Sequence, residues 1–455
     1  MQQLVVWILR VITNTFFRRI DVAGAENVPA TGAVIFAGNH PNALMDGWLL
    51  TAKCGRWPLH FMANAKLWDY PILGKFMDAS GAVPVYRRED HGDKTDNQSA
   101  FEKLYEVIES GNCMGVFPEG VSHVESQLTK LKTGTARIAL AVAARGKTEV
   151  KIVPCGLNYI HRHRFRSQVL LEFGEPIIVD DTWAAEYRDD EQATVRKLTD
   201  ELAAALGAVT LNAPDWNTLL YTQTIRRLYK PSSVALSPGQ YIELNRRFVS
   251  RYLHFADDPE MVAFRTEVEN YQAQLELLGL KDHQLRQPVS LGQLTRKLLF
   301  RSFMMLLLLP LAIPGALLHL PIGWIAATVG ERFSYETDDI ATLKVFATIL
   351  LLPILYLAIA ITIGVKFGFL WALISVLALT FSFFMSVRLL EAETTIVVSL
   401  LSLLRLARLG RDVDELRERR KALVEQIRQM VDRMADPDMP RMFTREDFAS
   451  TAPDQ

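Results

Sequence analysis

The sequence predicts an α/β domain that hands over to helices and then to membrane segments. Three observations carry this. Between Asp21 and about Val179, short apolar runs alternate with helical patterns, as strands interleaved with helices do. From Asp180 to Gln293 the chain reads as charged helices, interrupted at Pro214, Pro231, Pro238-Gly239 and Pro259. Finally, Ser302–Gly330, Val345–Val365 and Phe369–Val387 carry no formal charge at all. The expected division is 1–20, an interfacial amphipathic helix; 21–210, the α/β domain; 211–293, a helical subdomain; 294–390, membrane segments; and 391–455, a charged amphipathic helical tail.

Composition narrows the class of function. A chain of 455 residues has room for two or three domains. Its 49% hydrophobic content and mean hydropathy of +0.11 are high for a purely soluble enzyme, and the excess is local. Lys and Arg (50) nearly cancel Asp and Glu (51), so no global charge points to nucleic acid. The three cysteines are scattered without a CxxC pair, which argues against a zinc site or a disulfide framework and fits a reducing compartment. No small-residue cleavage site follows the first apolar run, so a removed signal peptide is not expected.

The elements follow in order. Met1–Arg19 mixes Trp7, Phe16 and Phe17 with Arg10, Arg18 and Arg19, in an apolar run too short to span a bilayer. That suits a helix lying in the interface; the other reading is a first helix packed on the core. Strands are expected at Ala33–Ala37, Val83–Tyr86, Met114–Phe117, Lys151–Leu157 and Val169–Phe173, and helices at Gln98–Ser110, Thr133–Ala144 and Glu191–Leu206. Val345–Val365 and Phe369–Val387 are each long enough to span, and the three residues between them make a hairpin. Ser302–Gly330 holds Pro310, Pro314 and Pro321, and basic residues flank the apolar region on both sides. A re-entrant hairpin there satisfies the charge rule, with Glu331–Lys344 on the side of the α/β domain; one kinked span is the alternative. In the tail, Val413, Leu416, Leu423, Ile427, Met430 and Met434 recur on one helical face, for packing on the chain's own domain or, alternatively, a coiled coil. Thr444–Gln455 reads as disordered.

The chemistry gathers where strands end. Asn39-His40-Pro41-Asn42-Ala43-Leu44-Met45-Asp46 follows the first strand, and a His near a carboxylate there reads as a general base with its orienting acid, or as a structural His in a capped loop. Arg87 and Arg88 follow a second strand, a seat for phosphate through paired N–H donors. A third strand runs into Phe117-Pro118-Glu119-Gly120-Val121-Ser122-His123, where Glu119 could accept a hydrogen bond from a substrate hydroxyl and Ser122 adds a donor. Lys132, just before a helix N-terminus, is a further anion seat. Pro154 and Gly156 shape the edge of a fourth strand, and Cys155 reads as a small buried residue. The basic run His161–Arg166 lies near the membrane or a polyanionic donor, or is a solvated loop.

Taken together, these motifs resemble the glycerolipid acyltransferase superfamily, in order and spacing, across Asn39–Pro154. Five residues separate His40 from Asp46 where most of that superfamily has four. This HX5D variant, with FPEG-x-SH and IVPCGLNY, is similar to the fungal-type glycerol-3-phosphate and dihydroxyacetone-phosphate acyltransferases. The similarity continues through VLLEFGEPI, the run Arg226–Pro231 and Leu280-Lys281-Asp282. The resemblance implies a mixed sheet flanked by helices and transfer of an acyl group from acyl-CoA or acyl-carrier protein to the sn-1 hydroxyl of glycerol 3-phosphate. Dihydroxyacetone phosphate is a further acceptor, and acylation of lysophosphatidate at sn-2 is the alternative. It implies His40 as base and Asp46 as its orienting acid. Arg87 would hold the phosphate, with Lys132 as a further candidate. Glu119, Gly120 and Ser122 would position the glycerol, and Pro154 would shape the acyl-donor side. It implies no metal or cofactor, a lipid bilayer as partner, and a catalytic domain on the cytoplasmic face of a bacterial inner membrane or the endoplasmic reticulum. A reading of another class is a non-catalytic membrane-anchored lipid-binding or scaffold protein.

Overall fold

The computed structural model describes all of the chain except residues 1, 87–97, 147, 232–233, 279, 281, 286–290, 410, 434–440, 445–446 and 449–455. It forms two compact units. The first comprises Met1–Leu219, Leu236–Arg246 and Tyr335–Thr342; the second comprises Leu220–Ala235, Arg247–Ser334 and Leu343–Gln455.

The first unit is built on a mixed sheet of β1 (Phe17–Ala23), β2 (Ala33–Gly38), β3 (Leu59–Asn64), β4 (Val83–Val85), β5 (Cys113–Val116), β6 (Val150–Tyr159), β7 (Ser167–Phe173) and β8 (Ile177–Val179). Their order is β1-β7-β6-β2-β5-β3-β4, with β8 also on β6. From β6 to β4 all neighbours are parallel, whereas β7 and β8 run antiparallel to β6. The centre is β2, buried at all six positions between β5 and β6. A strand covered on both faces has no need of polar alternation, which is why its sequence is a plain apolar run.

Helices α1 (Gln2–Phe16), α2 (Ala43–Lys53), α3 (Pro71–Ser80), α4 (Gln98–Glu109), α5 (Gly134–Ala144), α6 (Asp181–Asp189) and α7 (Glu191–Val209) also belong to the first unit. In α4, Ala100, Leu104 and Ile108 recur every four residues and are all buried, the stripe that seats a helix on a core. They share that core with Ile35, Ile138 and Ile152. Aspartates start α6 and α7: Asp180 Oδ1 accepts from Thr182 N at 3.0 Å, and Asp190 Oδ1 accepts from Ala193 N at 2.9 Å.

Among the described residues, three helices are long and apolar enough to cross a membrane: Met305–Phe333, Ile340–Phe367 and Phe369–Leu390. They are parts of α8 (Leu291–Phe333), α9 (Ile340–Phe367) and α10 (Phe369–Leu409). The re-entrant hairpin expected over Ser302–Gly330 does not occur, because α8 runs unbroken through its three prolines. A neighbouring helix supplies the missing bonds. Ser382 Oγ accepts from Gly315 N at 2.7 Å and donates to Leu311 O at 2.5 Å, bridging one rung of the helix. Ser386 Oγ donates to Ala312 O at 2.8 Å. Hydroxyls from an adjacent helix are what let proline sit inside a membrane helix. Gly315 is needed there, since a Cβ would collide with the Ser382 backbone. The tail helix α11 (Arg411–Arg433) buries Leu416, Leu423, Ile427 and Met430, and Arg420 pairs with Asp282 at 2.8 Å, so it packs on its own unit. Most of Thr444–Gln455, the expected disordered end, lies outside the described residues; within it the Phe448 ring centroid is 5.5 Å from that of Tyr229.

Candidate active site

The loops that follow β2, β5 and β6 leave the sheet at one edge, because these strands are adjacent and parallel. Ala37 pairs with both Val116 and Pro154 across the sheet. The carboxyl ends of parallel strands are where α/β folds place their chemistry. Asn39 fixes the exit of β2, donating from Nδ2 to Leu157 O at 3.2 Å and accepting from Leu157 N at 2.7 Å.

His40 and Asp46 meet. His40 Nδ1 lies 2.9 Å from Asp46 Oδ2, and Asp46 is fully buried. A carboxylate only accepts, so Nδ1 carries the proton and Nε2 keeps a lone pair. The same Oδ2 accepts from Asn42 N at 2.7 Å, and Oδ1 accepts from the Tyr159 hydroxyl at 2.6 Å. Burial pushes the Asp46 carboxyl up, and the bonds from His40, Tyr159 and Asn42 act against that. Asp46 also lies in the first turn of α2, where the helix dipole favours a negative charge. Between the two, Ala43 at the start of α2 adopts a left-handed φ of 42°. Such a conformation costs an alanine about 1 kcal/mol and is typical of functional loops. Phe117 from the β5 loop stacks on the His40 ring, centroids 4.1 Å apart and 6° from parallel.

Glu119 is placed differently from its expected role. Its Oε1 accepts from His40 N at 2.9 Å; its Oε2 accepts from Thr129 N and Thr129 Oγ1, each at 2.9 Å, and pairs with His123 Nε2. Burial pushes this carboxyl up, but the bonds from His123, Thr129 and His40 prevail and hold it below the usual carboxylate range. The residue ties the β5 loop to the His40 loop. Gly120 sits beside it at φ 80°, and a Cβ there would fall 2.7 Å from the Lys132 side chain. Thus Gly120 and the exposed Lys132 are brought together, with Lys132 N donating to Pro118 O at 2.7 Å. Ser122 is half-buried on the same loop.

Pro154 is buried within β6, at the step between the β8 pairing of residues 150–152 and the β7 pairing of 155–159. A residue without an N–H fits where the strand changes partner. Arg87 lies outside the described residues; β4, which leads to it, ends at the same sheet edge. The thiols are no nucleophiles: burial pushes Cys155 well above the ordinary value and Cys54 up to about 11. Sequence reasoning missed Tyr159, Thr129 and Phe117. The signal for Tyr159 was available, since Asn158 and Tyr159 are polar residues ending an otherwise apolar buried strand.

A His–Asp pair at the mouth of such a sheet is suited to taking the proton of a hydroxyl. Residues 19–158 match the family model "Acyltransferase". Residues 221–440 match the "Glycerol-3-phosphate acyltransferase 2 C-terminal domain". Among curated relatives, the chain is 37% identical over 291 residues to "Glycerol-3-phosphate O-acyltransferase 2" of Saccharomyces cerevisiae, covering 60% of this chain and 39% of that protein. It is 34% identical to "Glycerol-3-phosphate O-acyltransferase 1" of the same yeast, covering 58% and 37%. An "Uncharacterized acyltransferase" of Schizosaccharomyces pombe is 26% identical, with 77% and 66% covered. The chain thus spans about two fifths of the length of the two named yeast enzymes.

Proposed function

We propose that the chain is a membrane-bound glycerol-3-phosphate O-acyltransferase, moving a fatty acyl group from a thioester to the sn-1 hydroxyl of glycerol 3-phosphate. The product is lysophosphatidate, a precursor of phospholipids, and dihydroxyacetone phosphate is a second acceptor. The carrying observation is the His40–Asp46 pair, closed at 2.9 Å and held by Tyr159 and the Asn42 amide. The names of the two yeast relatives and the C-terminal family match support the acceptor.

His40 Nε2 takes the proton of the attacking hydroxyl while Nδ1–H stays bonded to Asp46. The hydroxyl oxygen bonds to the thioester carbonyl carbon, the C–S bond breaks, and the proton on Nε2 passes to the departing thiolate. A thioester already has a good leaving group, so a positioned base and oriented donors supply what the step requires. Arg87, with Lys132, holds the acceptor phosphate; Gly120 and Ser122 line the glycerol side, and Pro154 the acyl side. Acyl-CoA or acyl-carrier protein is the donor, and the catalytic unit faces the cytoplasm.

Purified protein should acylate glycerol 3-phosphate, and His40→Ala should lose about two to four decades of kcat while remaining folded. Lysophosphatidate assayed in parallel, with both donors, separates sn-1 from sn-2 transfer. Near-normal turnover in a folded His40→Ala protein would sink the mechanism.

A further inference from the structure

Beside the His40–Asp46 pair sits an arginine that bonds to both of the loops around it. Arg162 follows β6 and is half-buried. Its Nη1 donates to Pro41 O at 3.4 Å and to His123 O at 3.3 Å, one carbonyl from each of the two loops that carry His40 and Glu119. Its own carbonyl accepts from Asn42 Nδ2 at 3.0 Å, and its guanidinium lies over the Trp216 ring, 5.9 Å from the centroid. The fork is therefore held from one side. Among the described residues, its Nε and Nη2 have no hydrogen-bond partner.

An anion already sits in its field. Tyr335–Thr342, which runs from the link after α8 into the first residues of α9, belongs to the first unit. Asp338 on this link is 2% exposed, and its Oδ1 is buried without a hydrogen-bond partner. Burial works against the charge of Arg162, and Asp46 and Asp338 offset that. Next to it, the Asp339 carboxyl is pushed up by burial, then by Asp338 and Glu336, while His40 acts in the other direction. A buried carboxyl with one oxygen unbonded, in the field of a guanidinium with two donors to spare, is a poor final pairing: each group is left short of what it needs.

We propose that Arg162 receives the phosphomonoester of the acceptor, and that Asp338 is the resident anion which the acceptor displaces. This rests on the proposed function. A phosphomonoester dianion offers the paired oxygens that a guanidinium binds in a fork, which a single unbonded carboxylate oxygen does not. Acyl-CoA also carries a phosphomonoester, so the two substrates must be read separately.

The test uses the full-length protein in detergent. Arg162→Gln should raise the KM for glycerol 3-phosphate roughly tenfold or more, with the acyl-CoA KM unchanged and kcat much less affected. Arg162→Lys should fall between. Asp338→Asn should lower the glycerol 3-phosphate KM severalfold, because it removes the competing charge. Calorimetric binding of inorganic phosphate gives a readout without turnover: the wild type binds and Arg162→Gln binds at least tenfold more weakly. Phosphate binding that depends on Arg162 in a protein that does not acylate glycerol 3-phosphate supports this inference and defeats the functional reading alone. Equal phosphate affinity in folded wild type and Arg162→Gln overturns it, as does a rise in the acyl-CoA KM with the acceptor KM fixed. An Asp338→Asn protein whose acceptor KM stays put or rises overturns the displacement.

Discussion

A carboxylate that accepts four hydrogen bonds has little left to offer a substrate, and Glu119 is in that position. Its work is mechanical: it sets the distance between the loop bearing His40 and the loop bearing Gly120. Because the folded carboxyl titrates below its ordinary value, its stabilisation is fully present above that value and is lost as the pH falls through the lowered one. Melting of the wild type should therefore weaken steeply on the acid side, and Glu119→Gln should flatten that slope. At neutral pH the substitution should cost about 3 kcal/mol, since it leaves buried donors without a charged acceptor. A melting curve for Glu119→Gln that tracks the wild type from neutral pH down to strong acid would return Glu119 to a substrate role. His40, Asp46 and the FPEG run were legible because their residue types announce acid–base chemistry. That Glu119 faces inward was not, because its partner Thr129 lies ten residues on and nothing in the spacing marks it.

At the scale of elements, β2, β4, β5, β6 and β7 were readable, whereas β1, β3 and β8 were not. The buried β2, β5 and β6 are apolar runs, and the structure places them within a residue or three of where the sequence does. The edge strand β1 was hidden because Phe17–Ala23 contains Arg18, Arg19 and Asp21, the charges that keep an edge from pairing further. Likewise the three prolines of α8 argued for a hairpin because the hydroxyl that repairs the helix, Ser382, is distant in sequence. Helix α1 shows two faces. Val5, Leu9, Thr13 and Phe16 are buried, while Leu4 (57%), Trp7 (61%) and Val11 (45%) form an exposed apolar stripe at helical spacing. A stripe of that kind suits a bilayer surface. A Leu4→Cys protein carrying an environment-sensitive fluorophore should emit as in an apolar medium in liposomes and be quenched by brominated lipid. Water-like emission would instead leave α1 as an ordinary packed helix. The native thiols will not interfere, being buried and, for Cys54 and Cys155, hard to ionise.

For the whole molecule, α9 and α10 join through Gly368, whose φ of 94° makes a tight reversal. Tyr335, in the connector before α9, is 99% exposed and belongs to the first unit. A Tyr335→Cys protein should react with an impermeant maleimide only from the cytoplasmic side. Labelling of sealed cells from outside would reverse the proposed orientation.

The connector has a consequence for how the protein is made. Tyr335–Thr342 lies well over a hundred residues beyond the last strand in sequence, yet it is part of the same compact unit as the sheet. A ribosome therefore releases every strand long before it releases the piece that completes their unit, and α8 must emerge in between. Domains commonly fold as they leave the ribosome, N-terminal part first. Here the catalytic unit stays unfinished until its first apolar helix has been synthesised. Trimming the chain after α7 to obtain a soluble enzyme would remove Asp338 and Asp339 along with the membrane helices.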